Sequence, residues 1–310
     1  MTEALVSIPT FSKLSSRVWR VLGLNPGKVT LQGTNTYILG AGAQKLLLDC
    51  GQGISEYTPL LENSLKDIQA DAYISDIIIS HGHFDHWGGL HDILSSSILN
   101  PKKQIRVHKF PLPAGKHIDH LKDFPQDISV LPLKDEQTFK VDDVTLKVIY
   151  TPGHTSDHCT FWLEEEKSLF TADCVLGQGS TIFEDLHQYL SGLEKLARLQ
   201  PRRLYPGHGP VIENGTDKIN EYIRHRLERE DQIIQLFNQQ DGWTPMEIVK
   251  VLYKDYPESL HLPAARSVVL HLYKLHKDGK AKTAKHYDFV QENYPHIINS
   301  KWYWVNQNNL

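Results

Sequence analysis

The most informative segment of the sequence is Ile77-Ile78-Ile79-Ser80-His81-Gly82-His83-Phe84-Asp85-His86. Its apolar half predicts a strand buried on both faces, and its polar half places three imidazoles and one carboxylate at the strand end. Imidazole nitrogens and carboxylate oxygens are ligands that suit zinc and similar first-row metals. His81 and His83 alternate along an extended segment and can point the same way, whereas Asp85 and His86 turn towards a second point. The segment therefore predicts donors for two metal positions.

The composition is that of an ordinary globular protein. The chain has 310 residues, of which 40% are hydrophobic and 23% charged, which allows a sizeable core and a smaller second domain. A net charge of −4 excludes a globally basic nucleic-acid binder but not a local basic patch. Cys50, Cys159 and Cys174 are odd in number and form no C-x-x-C pair, which favours a reducing compartment. No apolar run approaches the roughly 20 residues of a membrane span, so we expect no membrane partner.

Four further candidates for the site follow other predicted strands. His154 follows a strand that ends near Tyr150, and Asp173 follows an apolar strand that ends at Thr171. The remaining two are His208, in a tight turn, and Asp49, after a run of leucines. Because loops at strand ends gather on one edge of a sheet sandwich, we expect these side chains to meet the cluster at residues 81–86.

The order of these residues resembles the motif order of the metallo-β-lactamase superfamily: H-x-H-x-D-H, a lone histidine, an aspartate and a final histidine. The resemblance covers roughly residues 18–212. Four local strings are similar to the glyoxalase-II-like branch: Leu24–Gly27, Thr30–Tyr37, Asp173–Gly177 and Phe183–Leu186. Together with a winged-helix-like C-terminal segment, they make the chain similar to animal zinc-dependent endoribonucleases. The resemblance implies an α/β fold, an αββα sandwich, which also agrees with strands and helices that interleave along the chain.

The resemblance also implies two Zn²⁺ ions per chain as cofactors. The first ion would be held by His81, His83 and His154. The second ion would be held by Asp85, His86 and His208. The carboxylate that bridges both ions would be Asp173. Two dications lower the pKa of a shared water, so a metal-bridging hydroxide forms near neutral pH and attacks the substrate.

Asp85 and Asp49 are assigned further roles. Asp85 is the predicted catalytic residue, because a ligand carboxylate keeps a free oxygen that can accept the proton of the water. Asp49 lies outside the ligand set, and we interpret it as an acceptor that orients a ligand histidine. An aspartate that forms the turn before Gly51 explains Asp49 equally well.

Several neighbouring side chains allow two interpretations. Trp87 could stack on a base, but packing under the loop is favoured. Asn35 and Thr36 follow a turn and are candidate substrate-binding donors at the mouth of the site, although turn chemistry alone also accounts for them. We interpret Cys174 as a buried apolar thiol, and His158 as a hydrogen-bonding or core residue rather than a ligand.

The pattern changes after Ile212. A long charged helix is predicted over residues 214–239, followed by helices over 245–254 and 263–277 and a hairpin that starts near residue 280. This arrangement resembles a winged helix-turn-helix, although the last twenty-five residues show no readable pattern. The predicted division is a catalytic domain, a connecting helix and a winged-helix-like C-terminal domain, at residues 1–213, 214–240 and 241–310.

The metal ligands specify hydrolysis but not the bond that is cleaved. The resemblance implies an endoribonuclease that hydrolyses phosphodiester bonds of single-stranded RNA, its partner. The alternative is a thioester hydrolase, either glyoxalase-II-like or acting on a carrier protein. A non-enzymatic role, in which the winged helix docks protein or nucleic acid, is the third hypothesis, and the intact ligand set disfavours it. The oligomeric state is left open.

Cationic side chains bear on the choice of substrate, since a phosphodiester needs positive neighbours. Arg224 and Arg226 are candidates for substrate binding on the helix after His208, although interleaved glutamates also fit a solvated face. The basic segment 263–286 predicts an RNA-facing wing. Further candidate cations are Lys28, Lys109, Lys116 and Arg229.

The expected location is the mitochondrial matrix, with the cytoplasm as the alternative. The resemblance carries this expectation, because residues 1–20, with three basic side chains and one acid, only weakly suggest a presequence. Val18, Val21 and Leu22 instead look like the first strand of the fold.

Overall fold

The computed structural model describes residues 4–113, 121, 123–283 and 297–305. The chain forms two compact units, one of residues 1–183 with 188–222 and the other of residues 184–187 with 223–310. The division lies inside one continuous helix, whereas the sequence predicted boundaries at residues 213 and 240.

The first unit contains a mixed sheet of seven strands, adjacent in space in the order of the chain. They are β1 (Phe11–Lys13), β2 (Val18–Leu22), β3 (Asn35–Leu39), β4 (Gln44–Leu48), β5 (Tyr73–Ile79), β6 (Arg106–Lys109) and β7 (Val130–Pro132). Strands β1 to β4 pair antiparallel and β4 to β7 pair parallel. The ends of β4, β5 and β6 therefore lie at one edge of the sheet, where their following loops begin.

The sequence pattern does not indicate β1 and predicts Val18 at the start of the first strand, which is β2. The three residues of β1 pair antiparallel with β2 at the edge of the sheet. They are half-buried or exposed, so the burial alternation that signals a strand is absent. By contrast, the predicted burial of Ile77, Ile78 and Ile79 on both faces is correct, since all three are 0% exposed.

The second sheet has five strands in the spatial order β12-β11-β10-β9-β8. They are β8 (Thr138–Val141), β9 (Val144–Tyr150), β10 (Cys159–Leu163), β11 (Ser168–Ala172) and β12 (Arg203–Pro206). The pairs are antiparallel except β11 with β12, which is parallel. The loops after β9, β11 and β12 carry His154, Asp173 and His208 respectively.

Two apolar cores lie on opposite faces of the first sheet. One joins the two sheets and includes Leu46 and Phe161, and the other joins the first sheet to a helix and includes Leu47 and Leu61. Successive residues of β4 thus enter different cores, as the alternation of a strand requires. The helices of this unit are α1 (Tyr57–Ile68), α2 (Phe84–Trp87), α3 (Leu90–Ser95), most of α4 (Leu186–Arg198) and the start of α5 (Gly215–Leu236).

The second unit begins in the later part of α5. It continues with α6 (Pro245–Leu252), α7 (His261–Lys277), β13 (Ala281–Thr283) and β14 (Trp302–Trp304). Strand β13 pairs antiparallel with β14. The second strand of the predicted hairpin therefore lies in the last twenty-five residues, which show no readable sequence pattern. Ile248, Val268 and Trp302 are among the buried residues of its core. Within the described part of the chain, no helix is long and apolar enough to cross a membrane.

Candidate metal centre

The loop after β5 changes direction between its second and third donor residues. Ser80 continues from the strand, and its carbonyl oxygen accepts from Cys159 N at 2.9 Å, which ties the loop to the second sheet. His83 is extended and caps α2, whose helical turn carries Asp85 and His86. The donors therefore leave the loop in two groups, as the local pattern predicted.

The first donor group contains His81, His83, His154 and Asp173, whose ligand atoms lie within 4.8 Å of one another. His83 Nδ1 is 2.8 Å from His81 Nε2 and 3.0 Å from His154 Nε2. Asp173 Oδ2 is 3.7 Å from His154 Nε2. Three ring nitrogens and one carboxylate oxygen thus converge from three separate loops.

The second donor group contains Asp85, His86 and His208. Asp85 Oδ2 is 3.4 Å from His86 Nε2 and 3.2 Å from His208 Nε2. Asp173 Oδ1 lies 3.3 Å from each of these two nitrogens. Asp173 therefore faces the first group with one oxygen and the second group with the other.

The residues fit a pair of metal ions. His86 Nε2 and Asp173 Oδ1 are buried and 3.3 Å apart, but neither makes a hydrogen bond of acceptable geometry with a described residue. Buried polar atoms are rarely left in that state, and a cation would satisfy both. Imidazole and carboxylate are the donor types of zinc sites. His83 and Asp85 are half-buried and the other five donors are buried, so the centre opens on the side of these two residues.

The two donor groups differ electrostatically. Burial would lower the pKa of His208, but Asp173 and Asp85 outweigh it and raise the value to about 9. Burial lowers the pKa of His154 to about 4, with Asp173 opposing the shift. Burial would raise the pKa of Asp85, but His86 and His208 hold it below its ordinary value. Without metal, the second group therefore keeps protons that the first group lacks.

Asp49 contacts a ligand histidine directly. Its Oδ2 is 2.7 Å from His86 Nδ1, and its Oδ1 accepts from Ser80 N at 2.7 Å. A proton held on His86 Nδ1 leaves Nε2 free to face the donor group. The structure thus places Asp49 where the orienting role requires it. His154 is held by a partner that the sequence did not reveal, the carbonyl of Ile182, 2.6 Å from Nδ1.

Asn35 and Thr36 do not lie at the mouth of the site, so that prediction is wrong. Asn35 is 1% exposed, and its Nδ2 donates to the carbonyls of Pro206 and Gly209 at 2.9 and 2.8 Å. Thr36 is 0% exposed and donates to Val21 O at 2.9 Å. Both belong to β3. Asn35 holds the turn that carries His208, and Thr36 faces helix α1, where its Oγ1 accepts from Tyr57 Oη at 2.8 Å.

Thr34 contacts the site through Asp85, and this contact is not predicted from the sequence. Its Oγ1 donates to Asp85 Oδ2 at 3.0 Å and accepts from Asn25 Nδ2 at 3.0 Å. Thr34 belongs to the turn before β3. The turn pattern therefore indicated a contact with the site, but the prediction named Asn35 and Thr36 instead.

Two of the predicted substrate-binding cations are buried, whereas Lys28 and Arg224 are exposed. Lys109 is buried against Asp157, and Arg226 is 6% exposed, so both predictions are wrong. Charged residues late in a strand or helix can turn inward, and the sequence alone does not show this. Arg224 is exposed, 3.9 Å from Glu228, and its role in substrate binding stays a prediction.

The basic character of the 263–286 segment is also reduced by packing. Lys274 donates to Glu230 at 2.7 Å and Lys277 donates to Asp185 at 2.8 Å. Burial lowers the pKa of His271 to about 3, with nearby cations adding to the shift, so that side chain is neutral. Lys280 and Lys282 are exposed. Lys116 and Lys285 lie outside the described residues.

The remaining interpretations agree with the structure. Trp87 is 2% exposed and donates from Nε1 to Gly82 O at 2.9 Å, so it packs beneath the loop. His158 is buried, with Nδ1 3.0 Å from Thr151 Oγ1, and lies in neither donor group. Cys174 is a buried free thiol whose pKa burial raises to about 12.

Two protein families match this chain, one over the residues that form the metal centre and one in the second unit. The family described as "Metallo-beta-lactamase superfamily" matches residues 29–208, and "Beta-lactamase associated winged helix domain" matches residues 244–288. A "Beta-lactamase-like protein 2 homolog" of Caenorhabditis elegans is 41% identical over 96% of this chain and 94% of its own. That of Drosophila melanogaster is 42% identical, over 91% and 95%.

One further relative and two solved structures complete the comparison. An "Atrochrysone carboxyl ACP thioesterase" of Aspergillus fumigatus is 38% identical over 75% of this chain and 68% of its own. A metallo-beta-lactamase family protein from Thermus thermophilus has a TM-score of 0.67 at 22% identity, covering 94% of this chain and 100% of that one. A beta-lactamase domain protein from Burkholderia ambifaria has a TM-score of 0.73 at 17% identity, covering 96% and 95%. These two structures show the fold alone.

Proposed function

Because the chain belongs to the metallo-β-lactamase superfamily of hydrolases, we propose that it is a zinc-dependent endoribonuclease that hydrolyses phosphodiester bonds of single-stranded RNA. The predicted family and fold, a metallo-β-lactamase sandwich with a C-terminal winged helix, are confirmed. The observation that carries the proposal is the pair of adjoining donor groups that share Asp173.

The proposed cofactors are two Zn²⁺ ions. His81, His83 and His154 would hold one ion, Asp85, His86 and His208 would hold the other, and Asp173 would contact both. Bound there, the ions would supply Lewis acids that polarise a water and the phosphoryl group and stabilise negative charge that develops on the substrate.

The protein residues supply orientation and proton transfer. Asp49 orients His86, and the Ile182 carbonyl orients His154, so both rings face the centre. Asp85 turns Oδ2 towards Thr34 and His208. We assign its Oδ1 the role of proton acceptor, since the side chain is 19% exposed on the open side of the centre.

Phe84 supports single-stranded RNA as the substrate. It lies between the two half-buried donors and is 47% exposed. Its ring meets Trp87 edge-on, with 4.9 Å between centroids, which restricts its motion. Exposed aromatic faces beside a catalytic centre bind unpaired bases by stacking, with little preference for sequence.

The second unit gives further support. Winged helices bind nucleic acids and also proteins, and here Lys280 and Lys282 are exposed at β13. The proposed partner is therefore single-stranded RNA, bound with a salt-dependent affinity. The proposed location, the mitochondrial matrix, rests on the resemblance to animal endoribonucleases.

Thioester hydrolysis is the second candidate. It is favoured by the similarity to a protein named as a carrier-protein thioesterase. An apolar side chain beside the centre also fits an acyl group, since Ile182, whose carbonyl holds His154, is 55% exposed.

The test compares both substrates on one preparation. Zinc-reconstituted protein is expected to cleave a single-stranded oligoribonucleotide internally, and Asp85→Ala and His86→Ala are expected to abolish cleavage. Asp127→Ala is the matched control, because it removes an exposed carboxylate that lies in neither donor group. Equal cleavage by His86→Ala and the parent would reveal a contaminating nuclease and remove the evidence for the proposal.

S-lactoylglutathione and an acylated carrier protein are assayed in parallel. Fast turnover of either thioester without RNA cleavage would replace the endoribonuclease by the thioesterase. Phe84→Leu is expected to raise the KM for RNA several-fold with little change in kcat, because it removes stacking worth about 1–3 kcal/mol per base.

A further inference from the structure

A buried ion pair lies between the loops that carry the first donor group. Lys109, at the end of β6, donates from Nζ to Oδ2 of Asp157, which lies in the turn between β9 and β10. Lys109 is 7% exposed and Asp157 is 0% exposed. Both side chains are buried, and neither belongs to a donor group.

The carboxylate of Asp157 contacts both loops. Its Oδ1 accepts from Thr155 Oγ1 at 2.7 Å, and Thr155 follows the ligand His154. Its Oδ2 lies 3.1 Å from the position that a Cβ atom on Gly82 would occupy. Gly82 separates His81 from His83, so the lack of a side chain there lets the carboxylate pack against the loop.

Lys109 links Asp157 to the first sheet. Its strand pairs in parallel with β5, and Lys109 lies opposite Ile79, two residues before His81. Its Nζ also donates to Phe110 O at 3.2 Å. The pair therefore connects the first sheet to the turn of the second sheet that carries His154.

Fold stability alone does not account for such a pair. Removing two charges from water is costly, and apolar side chains of similar volume often stabilise a protein as well or better. A buried pair does fix geometry, because each partner accepts only a narrow range of positions for the other.

We propose that Lys109 and Asp157 are positioning residues that hold the His81–His83 loop and the His154 turn at the spacing required by the first metal ion. The inference rests on the metal centre of the proposed function and applies whether the substrate is RNA or a thioester. Its test measures zinc binding without substrate, so it can fail independently of the proposed activity.

The primary measurement is zinc affinity of the metal-free protein by chelator competition. Asp157→Asn and Lys109→Met are each expected to weaken one of two zinc ions about 10- to 100-fold, the usual effect of losing a residue that orients ligands. The other zinc ion should bind with unchanged affinity.

Asp76→Asn is the matched control. Asp76 is also a buried carboxylate, 2% exposed, bonded at 2.8 Å to Arg106 and His108 on the same pair of strands. It lies opposite Arg106, three residues before Lys109 and away from the donors. Asp76→Asn should lower the Tm of the metal-free protein and leave both zinc affinities unchanged.

A double-mutant cycle identifies the affected ion. The loss caused by Asp157→Asn should persist in a His208→Ala background and disappear in a His154→Ala background, because only the latter lacks the first site. If Asp157→Asn fails to fold, Thr155→Val removes only the hydrogen bond to the turn and should weaken the same ion. Unchanged zinc affinity in Asp157→Asn and Thr155→Val, with or without a lower Tm, would overturn the proposal.

Discussion

Asp173 is the residue at which the two donor groups meet. Its Oδ1 lies 3.3 Å from both His86 and His208, and its Oδ2 lies 3.7 Å from His154. Burial would raise its pKa, but the two histidines of the second group hold the pKa well below its ordinary value. Asp173 is therefore negatively charged at any pH at which histidines can bind zinc. Replacing it with the neutral asparagine would weaken the attraction for both ions.

Zinc binding should release protons from the second donor group. The pKa of His208 is raised to about 9, mainly by Asp173, so this ring is protonated in the metal-free protein near neutral pH. A histidine must be neutral to bind a metal ion, so zinc displaces that proton, and the release should fade as pH rises through about 9. Calorimetric titration in two buffers of different ionisation enthalpy measures the protons released.

The same shift sets a stability change in the metal-free protein. A histidine with a raised pKa stabilises the fold fully below its unfolded value and loses that contribution as pH rises through the folded value. The stabilising contribution of His208 should therefore decline between about pH 6.5 and 9. His208→Gln should remove this part of the pH dependence.

For the proton-release prediction, zinc uptake without release of protons near neutral pH would contradict the protonation of His208 in the metal-free protein.

At the scale of elements, backbone hydrogen bonds hold the ligand loops to one another. Asn35 N donates to Gly207 O at 2.7 Å, and Gly207 N donates to Ala172 O at 2.8 Å. A Cβ atom on Gly207 would collide with the Asp173 carboxylate, so glycine is required where these loops meet. The site is thus built from strand ends, and its geometry depends on two sheets at once.

Helix α6 in the second unit begins with a complete capping box. Glu247 N donates to Thr244 Oγ1 at 3.2 Å, and Thr244 N donates to the Glu247 carboxylate at 2.8 Å. Thr244→Ala should destabilise the second unit by about 1 kcal/mol, because it leaves a helix N–H group without its acceptor. Urea unfolding measures the loss. Thr244→Ser keeps the acceptor and should stay close to the parent; an equal loss in both variants would argue against the cap.

At the scale of the whole molecule, each unit has a core of its own. Leu272 is buried in the core of the second unit. Leu47 is buried in a core of the first unit and lies two residues before Asp49 in the chain. The metal donors all belong to the first unit. The two units should therefore respond differently to the loss of core volume.

Leu272→Ala should destabilise the second unit by about 2–5 kcal/mol and leave the zinc content unchanged. Leu47→Ala, the matched change in the first unit, should promote zinc loss on heating. Thermal unfolding followed by circular dichroism, with a coloured chelator to report zinc release, separates these effects. Zinc release that coincides with unfolding of the second unit in Leu272→Ala would show that the two units unfold as one.

Nonlocal packing explains which predictions failed. The turn before Asn35 and the positive charges of Lys109 and Arg226 predict contact with substrate, yet all three side chains are buried. Their burial depends on residues distant in the chain, such as Pro206 opposite Asn35. Strand β14 was missed for the same reason, because it is defined by its pairing with β13 about twenty residues earlier.

The donor types, their order and the strand ends that present them follow from local sequence alone, because metal ligation depends on residue chemistry and on spacing within short segments. His81, His83, Asp85 and His86 could be read in this way. Three features arise only from packing between distant segments: Asp173 lies between the two donor groups, Asp49 contacts His86, and Lys109 pairs with Asp157. Distances between segments far apart in sequence depend on how the two sheets pack, and no local pattern contains that information.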